Sequence, residues 1–283
     1  MPAGRSLDEL KAIAKTIRKD IITSTTAAGS GHPTSSLSGV EVAVQLYFGG
    51  FLRHDPKKPA WPQRDRFILS KGHAAPLLYS ALAEAGYFSR DLLPTLRKLG
   101  SPLEGHPNYA RAKAEGIGGI EASTGSLGQG LSLGLGHALA LKLDGYDSRV
   151  FVMTGDGESA QGQIWEAVSS AQKFKLDNLI AIVDQNGYQQ TGATKDVLDL
   201  KPLTAKYESF GWFVQECEGN DIAAVGAALQ KAVSNKGRPS VIISRTKKGF
   251  PIQDLIGDPN HHGKPLTPEQ AQKAIAFIDA MPN

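Results

Sequence analysis

The sequence predicts an α/β protein with a mostly parallel sheet flanked by helices, and three observations carry that prediction. Short apolar runs rich in β-formers occur at 150–154, 179–183 and 239–245, the pattern of strands buried on both faces. Helical periodicity separates them, with Ile164, Trp165, Val168 and Ala171 falling on one face between the first two; such alternation is the mark of a parallel sheet. Polar glycine turns then follow the strands, Gly155-Asp156-Gly157 after the first and Asp184-Gln185-Asn186-Gly187 after the second. The carboxyl ends of parallel strands are where ligands bind in open sheets.

Taken in order, Ser6-Leu7-Asp8-Glu9 is a capping box that opens a helix. Leu10, Ile13, Ile17 and Ile21 form its apolar face, and Gly29-Ser30-Gly31 ends it and presents His32. A second helix is expected over 39–51, then a Pro/Lys-rich surface loop over 55–63. Residues 66–70 read as a short strand, after which Gly72-His73 turns into a helix running toward Ala85. A further helix is expected over 91–99, before a glycine- and proline-marked loop that carries His106. Glycines crowd 116–136, yet no β-rich strand leads into a Gly-x-Gly-x-x-Gly turn there, which argues against a dinucleotide fingerprint. That density suits close backbone packing against a cofactor ring or another subunit. Beyond the central unit, 212–216 and 239–245 read as strands and 223–234 as a helix. Lys247-Lys248-Gly249 is a basic turn, and Thr267-Pro268-Glu269-Gln270 caps a final helix. No repeat, low-complexity tract or linker interrupts the chain, so residues 1–283 are expected to form one domain.

With 41% hydrophobic and 21% charged residues the chain has the composition of an ordinary soluble protein with a sizeable core. A net charge of +3 is too small and too evenly spread to argue for nucleic acid. Cys217, the single cysteine, excludes an internal disulfide and fits a reducing compartment. No apolar run approaches the roughly 20 residues of a membrane helix. The amino terminus has no apolar signal core and carries Asp8, Glu9 and Asp20, so a cytoplasmic location is expected.

The two turns offer a specific chemistry. Asp156 supplies a carboxylate, Asn186 an amide oxygen and Tyr188 a backbone carbonyl, an all-oxygen set of the kind that hard divalent cations share with phosphate oxygens. The glycines let backbone N–H groups approach a diphosphate, and the helix amino terminus adds a favourable dipole.

These motifs resemble the signature of thiamine-diphosphate enzymes, and those around them resemble transketolases in particular. Ser30-Gly31-His32-Pro33, Asp65 through Ala74, Gly105-His106-Pro107, Ser123 through Gly130 and His261-His262-Gly263-Lys264-Pro265-Leu266 stand in the transketolase order. The resemblance covers essentially the whole chain but only the amino-terminal, diphosphate-binding third of a full-length transketolase. It implies the thiamine-diphosphate-binding fold, thiamine diphosphate as cofactor and Mg2+ (with Ca2+ or Mn2+ as substitutes) held by Asp156, Asn186 and the Tyr188 carbonyl. His73, Gly125, Leu127, Gly157, Glu158 and His262 would join Asp156 and Asn186 in binding cofactor. His32, His73, His106 and His262 would serve the chemistry, which transfers a two-carbon ketol unit between sugar phosphates. Thr34, Lys71, Ser126 and Gln161 depart from the common family residues. Lys71 is expected either to meet phosphate or an acidic residue, or to stand in solvent.

Transketolases place the cofactor-activating glutamate and the phosphate-binding arginines on a pyrimidine domain. The resemblance therefore implies a split enzyme, completed by a carboxyl-terminal subunit in a two-plus-two heterotetramer, with no nucleic acid or membrane partner. Three alternatives stay open: an unusual donor or acceptor sugar, a deoxyxylulose-phosphate-synthase-like or 2-oxoacid-dehydrogenase-like subunit, and a non-catalytic cofactor-binding subunit.

Overall fold

A computed structural model describes residues 4–190, 192–258 and 261–282. The amino-terminal helix α1 (Leu7–Ala28) has the expected reciprocal capping box between Ser6 and Glu9, and Gly29 ends it in the left-handed conformation. Two shorter helices follow, α2 (Pro33–Leu37) and α3 (Val40–Phe48). Strand β1 (Arg66–Leu69) leads through a 3-10 turn at Gly72–Ala74 into α4 (Ala75–Glu84), and α5 (Tyr109–Ala114) and α6 (Gln129–Leu143) come next. The central unit is β2 (Val150–Gly155), α7 (Gly162–Lys173) and β3 (Leu179–Gln185). A short hairpin, β4 (Tyr188–Gln189) with β5 (Gly192–Ala193), precedes α8 (Thr194–Val197) and α9 (Leu203–Ser209). The chain closes with β6 (Phe213–Glu218), α10 (Ile222–Ser234), β7 (Ser240–Arg245) and α11 (Pro268–Ala280).

The main sheet runs β1-β2-β3-β7-β6, and every pair in it is parallel. Alternate side chains of each strand therefore feed opposite faces. Phe67, Phe151, Met153, Ile180, Ile182 and Ile242 join a core with α1, α3, α4, α10 and α11. Ile68, Val150, Val152, Ala181, Val183 and Ile243 join a second core with α6, α7 and α9. Since all five strands point one way, the turns after β1, β2, β3 and β7 open on a single edge.

Three local expectations are corrected. Residues 91–99 do not form an α-helix: a 3-10 segment spans Arg90–Thr95 with Pro94 inside it, and proline supplies no N–H for a longer run. The helix expected over 39–51 stops at Phe48, capped by Gly49. Trp165, expected on an apolar face, is only half-buried; its indole N–H donates to the Ser159 carbonyl at 2.9 Å and its ring stacks on Phe210. No described helix is long and apolar enough to cross a membrane.

Candidate active site

At the carboxyl edge of the sheet lies a cavity of about 450 Å³. The structure brings all the sequence-expected site residues to its wall: His32, His73, His106 and His262, Gly125 and Leu127, and Asp156, Gly157, Glu158, Asn186 and Tyr188. They arrive on separate segments. His32 caps α2, His73 follows β1, Asp156 follows β2, and Asn186 follows β3.

Three of the imidazoles form a cluster, with ring centroids 5.1 Å apart for His32 and His73, 5.3 Å for His32 and His262, and 5.9 Å for His73 and His262. His106 sits over Gly125, where an added Cβ would come within 2.8 Å of its ring, so that close approach requires glycine. Burial, then the neighbouring His262 and Arg97 charges, holds His32 down at about 4; burial, then Lys248, does the same for His262. Burial, then Lys71, keeps His73 well below the usual range, and burial, then Arg97, lowers His106. The histidines are thus neutral at pH 7. Lys248 Nζ lies 2.8 Å from His262 Nδ1, and a lysine donating there leaves the imidazole proton on Nε2.

Proton NMR of the ring signals is expected to show His32 and His262 titrating near pH 4. Their folded pKa lies below the unfolded one, so the stability they carry is present above about 6.5 and is lost as pH falls toward 4. Midpoints near 6.5 would contradict the packing described.

The acidic end of the cavity is equally ordered. Asp156 Oδ1 accepts from the Gly157 N–H at 2.9 Å and Oδ2 from the Gly187 N–H at 2.7 Å. Each carboxylate oxygen has a second acceptor site left. Burial, then the charge of Asp184, raises the Asp156 carboxyl to about 6, so a cation at this point would relieve a charge the protein leaves incompletely compensated. Asn186 Nδ2 donates to Asp184 Oδ2 at 3.2 Å, and Asn186 Oδ1 accepts from the Tyr188 N–H at 3.0 Å. These bonds settle which end of the amide is oxygen.

Asp184 itself is fully buried and takes donors from Lys71, Thr246 and Ser38, the last at 2.6 Å. Lys71 is 1% exposed and also donates to the Ser35 carbonyl at 2.8 Å. The solvated alternative for this lysine is therefore excluded; its acidic companion belongs to the same chain. Glu158 lines the cavity, but Oε1 accepts from the Ser70 hydroxyl and the Gly128 N–H, and Oε2 from the Gly155 N–H. Its carboxylate ties the turns after β1 and β2 to the start of α6.

Sequence reasoning did not reach Ser35, Gln189, Gln190 or the placement of Lys248 on this wall. The Lys248 signal was available, since a basic turn directly after a parallel strand must open on the ligand edge. Burial, then the Lys71 charge, lowers Lys248 to about 8, and its ammonium lies 5.4 Å from the centre of the Tyr188 ring. Gln189 packs its Cβ and Cγ against Gly157, leaving no room for a side chain there.

Among the described residues no group of three or more His, Cys, Asp or Glu stands ready to hold a metal. A cation at this edge would rest on one carboxylate, one amide and backbone oxygens. The donor set suits a magnesium–diphosphate group: Asp156 keeps free acceptor sites, and Gln189 Oε1 and His32 Nδ1 are buried with no partner among the described residues.

The parallel sheet, with a histidine- and lysine-lined cavity across its strand ends, defines a ligand-binding α/β domain. A sequence model described as "Transketolase, thiamine diphosphate binding domain" matches residues 9–278. The chain belongs to the transketolase family, as its thiamine-diphosphate-binding domain. It is 42% identical over 275 residues to an apulose-4-phosphate transketolase subunit of Actinobacillus succinogenes, covering 97% of each chain. It is 40% identical over 271 residues to the 6-deoxy-6-sulfo-D-fructose transketolase subunit SqwG of Clostridium sp., covering 96% of each. Against human transketolase it is 39% identical over 278 residues, covering 98% of this chain and 43% of that one. The solved transketolase of Leishmania mexicana superposes with a TM-score of 0.88 at 30% identity, covering 98% of this chain and 42% of that chain. The chain thus spans nearly the whole of the relatives named as subunits and less than half of the full-length ones.

Proposed function

We propose that the chain is the cofactor-binding half of a split transketolase, which moves a two-carbon ketol unit from a ketose phosphate to an aldose phosphate. The observation that carries this reading is the meeting of four neutral histidines with the Asp156–Asn186 pair in one cavity. Bound thiamine diphosphate supplies the nucleophilic carbon and the electron sink for the carbon–carbon bond cleavage. The chain's own residues do the rest. Asp156, Asn186 and the Tyr188 carbonyl would hold Mg2+, with Ca2+ or Mn2+ as substitutes, against the diphosphate. The Gly157 turn and His73 would receive the diphosphate oxygens. Gly125 and Leu127 would meet the aminopyrimidine side through their backbones. His32, His106 and His262, neutral at working pH, are able to accept a proton from a sugar hydroxyl and return it.

A second polypeptide bearing the pyrimidine domain would supply the activating glutamate and complete a two-plus-two assembly. The naming of two relatives as transketolase subunits supports that partnership. Those relatives are named for apulose-4-phosphate and 6-deoxy-6-sulfo-D-fructose, so the donor of this chain belongs among short sugars ending in an oxyanion.

Asp156→Ala tests the cation assignment. It removes the sole protein carboxylate proposed to face the metal, in a site too buried for water to replace it well. Calorimetry with thiamine diphosphate and magnesium on the assembled enzyme is expected to show affinity lowered at least about tenfold, on the order of 1.4 kcal/mol. Unchanged affinity would sink the assignment.

A further inference from the structure

Glu158 stands 3% exposed at the wall of the cofactor cavity, and its carboxylate bonds toward both ends of the proposed cofactor site. Oε1 accepts from the Gly128 N–H at 2.8 Å and from the Ser70 hydroxyl, and Oε2 accepts from the Gly155 N–H at 2.9 Å. Gly155 directly precedes Asp156, the residue proposed to face the cation. Gly128 directly follows Leu127, proposed to meet the aminopyrimidine. Both carboxylate oxygens are thus engaged by protein donors, and a buried anion beside a diphosphate repels it. The geometry offers a bridge between two turns, not a cofactor ligand.

The turn over 125–128 needs such a hold. Gly125 and Gly128 adopt φ 137° and 89°, and glycine brings a freedom that contacts from outside must remove. Inside the turn the Gln129 N–H reaches the Ser126 carbonyl at 3.4 Å, a long bond. From outside, Thr124 Oγ1 donates to the Leu69 carbonyl at 2.7 Å just before the turn, and Glu158 takes the Gly128 N–H at its end. The segment also presses on the turn after β1. A Cβ at Gly130 would fall 2.4 Å from Ser70 Cβ and Oγ, and one at Gly72 would fall 2.7 Å from the Gly125 nitrogen. One carboxylate therefore joins the end of β2, the turn after β1 and the start of α6.

We propose that Glu158 is a positioning residue, which sets the span between the diphosphate end of the cofactor site at Asp156 and its pyrimidine end at Gly125 and Leu127. The assignment of those two ends rests on the proposed function; the carboxylate bridge does not. Reach matters here as well as charge, because one side chain must meet Gly128 and Gly155 together. Glu158→Gln keeps the length, yet whichever way its amide turns, the NH2 faces a backbone N–H, at Gly128 or at Gly155. Glu158→Asp keeps the charge and loses a methylene of reach.

Two measurements decide it. In the first, amide hydrogen exchange is followed by NMR in the full chain without cofactor. In either variant the Gly128 or the Gly155 N–H is expected to exchange about tenfold faster or more, the scale of one lost hydrogen bond to a charged group. The amides of Val152 and Ile182 in the central strands should stay protected. Unchanged exchange, or a rise shared equally by those strand amides, would overturn the bridge. In the second, calorimetry on the assembled enzyme with magnesium compares pyrophosphate, which fills only the diphosphate end, with thiamine diphosphate, which spans both. Each variant is expected to keep pyrophosphate affinity within about twofold and to weaken thiamine diphosphate about tenfold. Equal losses for both ligands would make Glu158 part of the diphosphate site, and no loss for either would leave the span set elsewhere; both results overturn the proposal. So does a Glu158→Asp variant that behaves as the parent, since charge alone then suffices. If the unaltered assembly binds neither ligand, the proposed function fails while the exchange measurement still decides the bridge.

Discussion

Lys71→Met is expected to cost about 3–5 kcal/mol of stability, the loss seen when one partner of a buried ion pair is removed. Lys71 and Asp184 are both almost wholly buried, so the variant would leave a carboxylate in the sheet with only hydroxyl and amide donors. Burial works to raise the Asp184 carboxyl, and the Lys71 ammonium is the largest influence holding it below its ordinary value. Without the lysine, Asp184 is expected to take up a proton in the folded state. The effect should also reach the cavity, because Asp184 accepts from the Asn186 amide and so fixes its oxygen. Urea unfolding of the single variants and of Lys71→Met/Asp184→Asn completes a cycle. The double variant should recover much of the loss, since no uncompensated charge remains. A Lys71→Met loss below about 1 kcal/mol, the size of an exposed pair, would show that the pair is not the buried couple described here.

His106→Ala is expected to lower turnover of the assembled enzyme roughly a hundredfold, the scale of one lost acid–base or orienting group. Melting temperature should hardly move. Much of the residue's surface faces solvent even though its ring is packed on Gly125, and its backbone carbonyl, which alanine keeps, accepts from the Tyr79 hydroxyl at 3.1 Å. Its ring rests on Gly125 with no hydrogen bond to the protein among the described residues, so alanine vacates space without orphaning a partner. Retained activity with collapsed stability would make His106 a structural residue.

The parts of this site that the sequence makes legible are those where local grammar is strong. Asp156 and Asn186 follow apolar strands and are flanked by glycine, and strand direction then forces both to one edge. His32, His73 and His106 each stand beside a glycine: Gly31 has φ 133°, and Gly72 and Gly105 are closely approached by Gly125 and by the Arg97 side chain. Lys71 is a different case. A lysine between Ser70 and Gly72 reads as a solvent-facing turn residue, and only the fold shows that its ammonium meets the Ser35 carbonyl, Ser38 and Asp184. Arg97 escapes for a similar reason: its positive φ lies inside a segment whose apolar spacing imitates a helix. The β4–β5 hairpin and α9 lie in a stretch with neither clear periodicity nor strong caps, and tertiary packing decides them.

On the function proposed above, this chain carries the cofactor half of a ketol transfer and needs a pyrimidine-domain polypeptide to complete it. The direct test is a transfer assay with xylulose phosphate and ribose phosphate, with thiamine diphosphate and magnesium present. It is run on the pure chain and again after adding a transketolase carboxyl-terminal polypeptide that associates with it. No turnover above background is expected from the chain alone, because only part of the cofactor's surface is covered, and ketol transfer is expected once the two polypeptides associate. Robust turnover by the chain alone, with mass spectrometry detecting no second polypeptide, would contradict it.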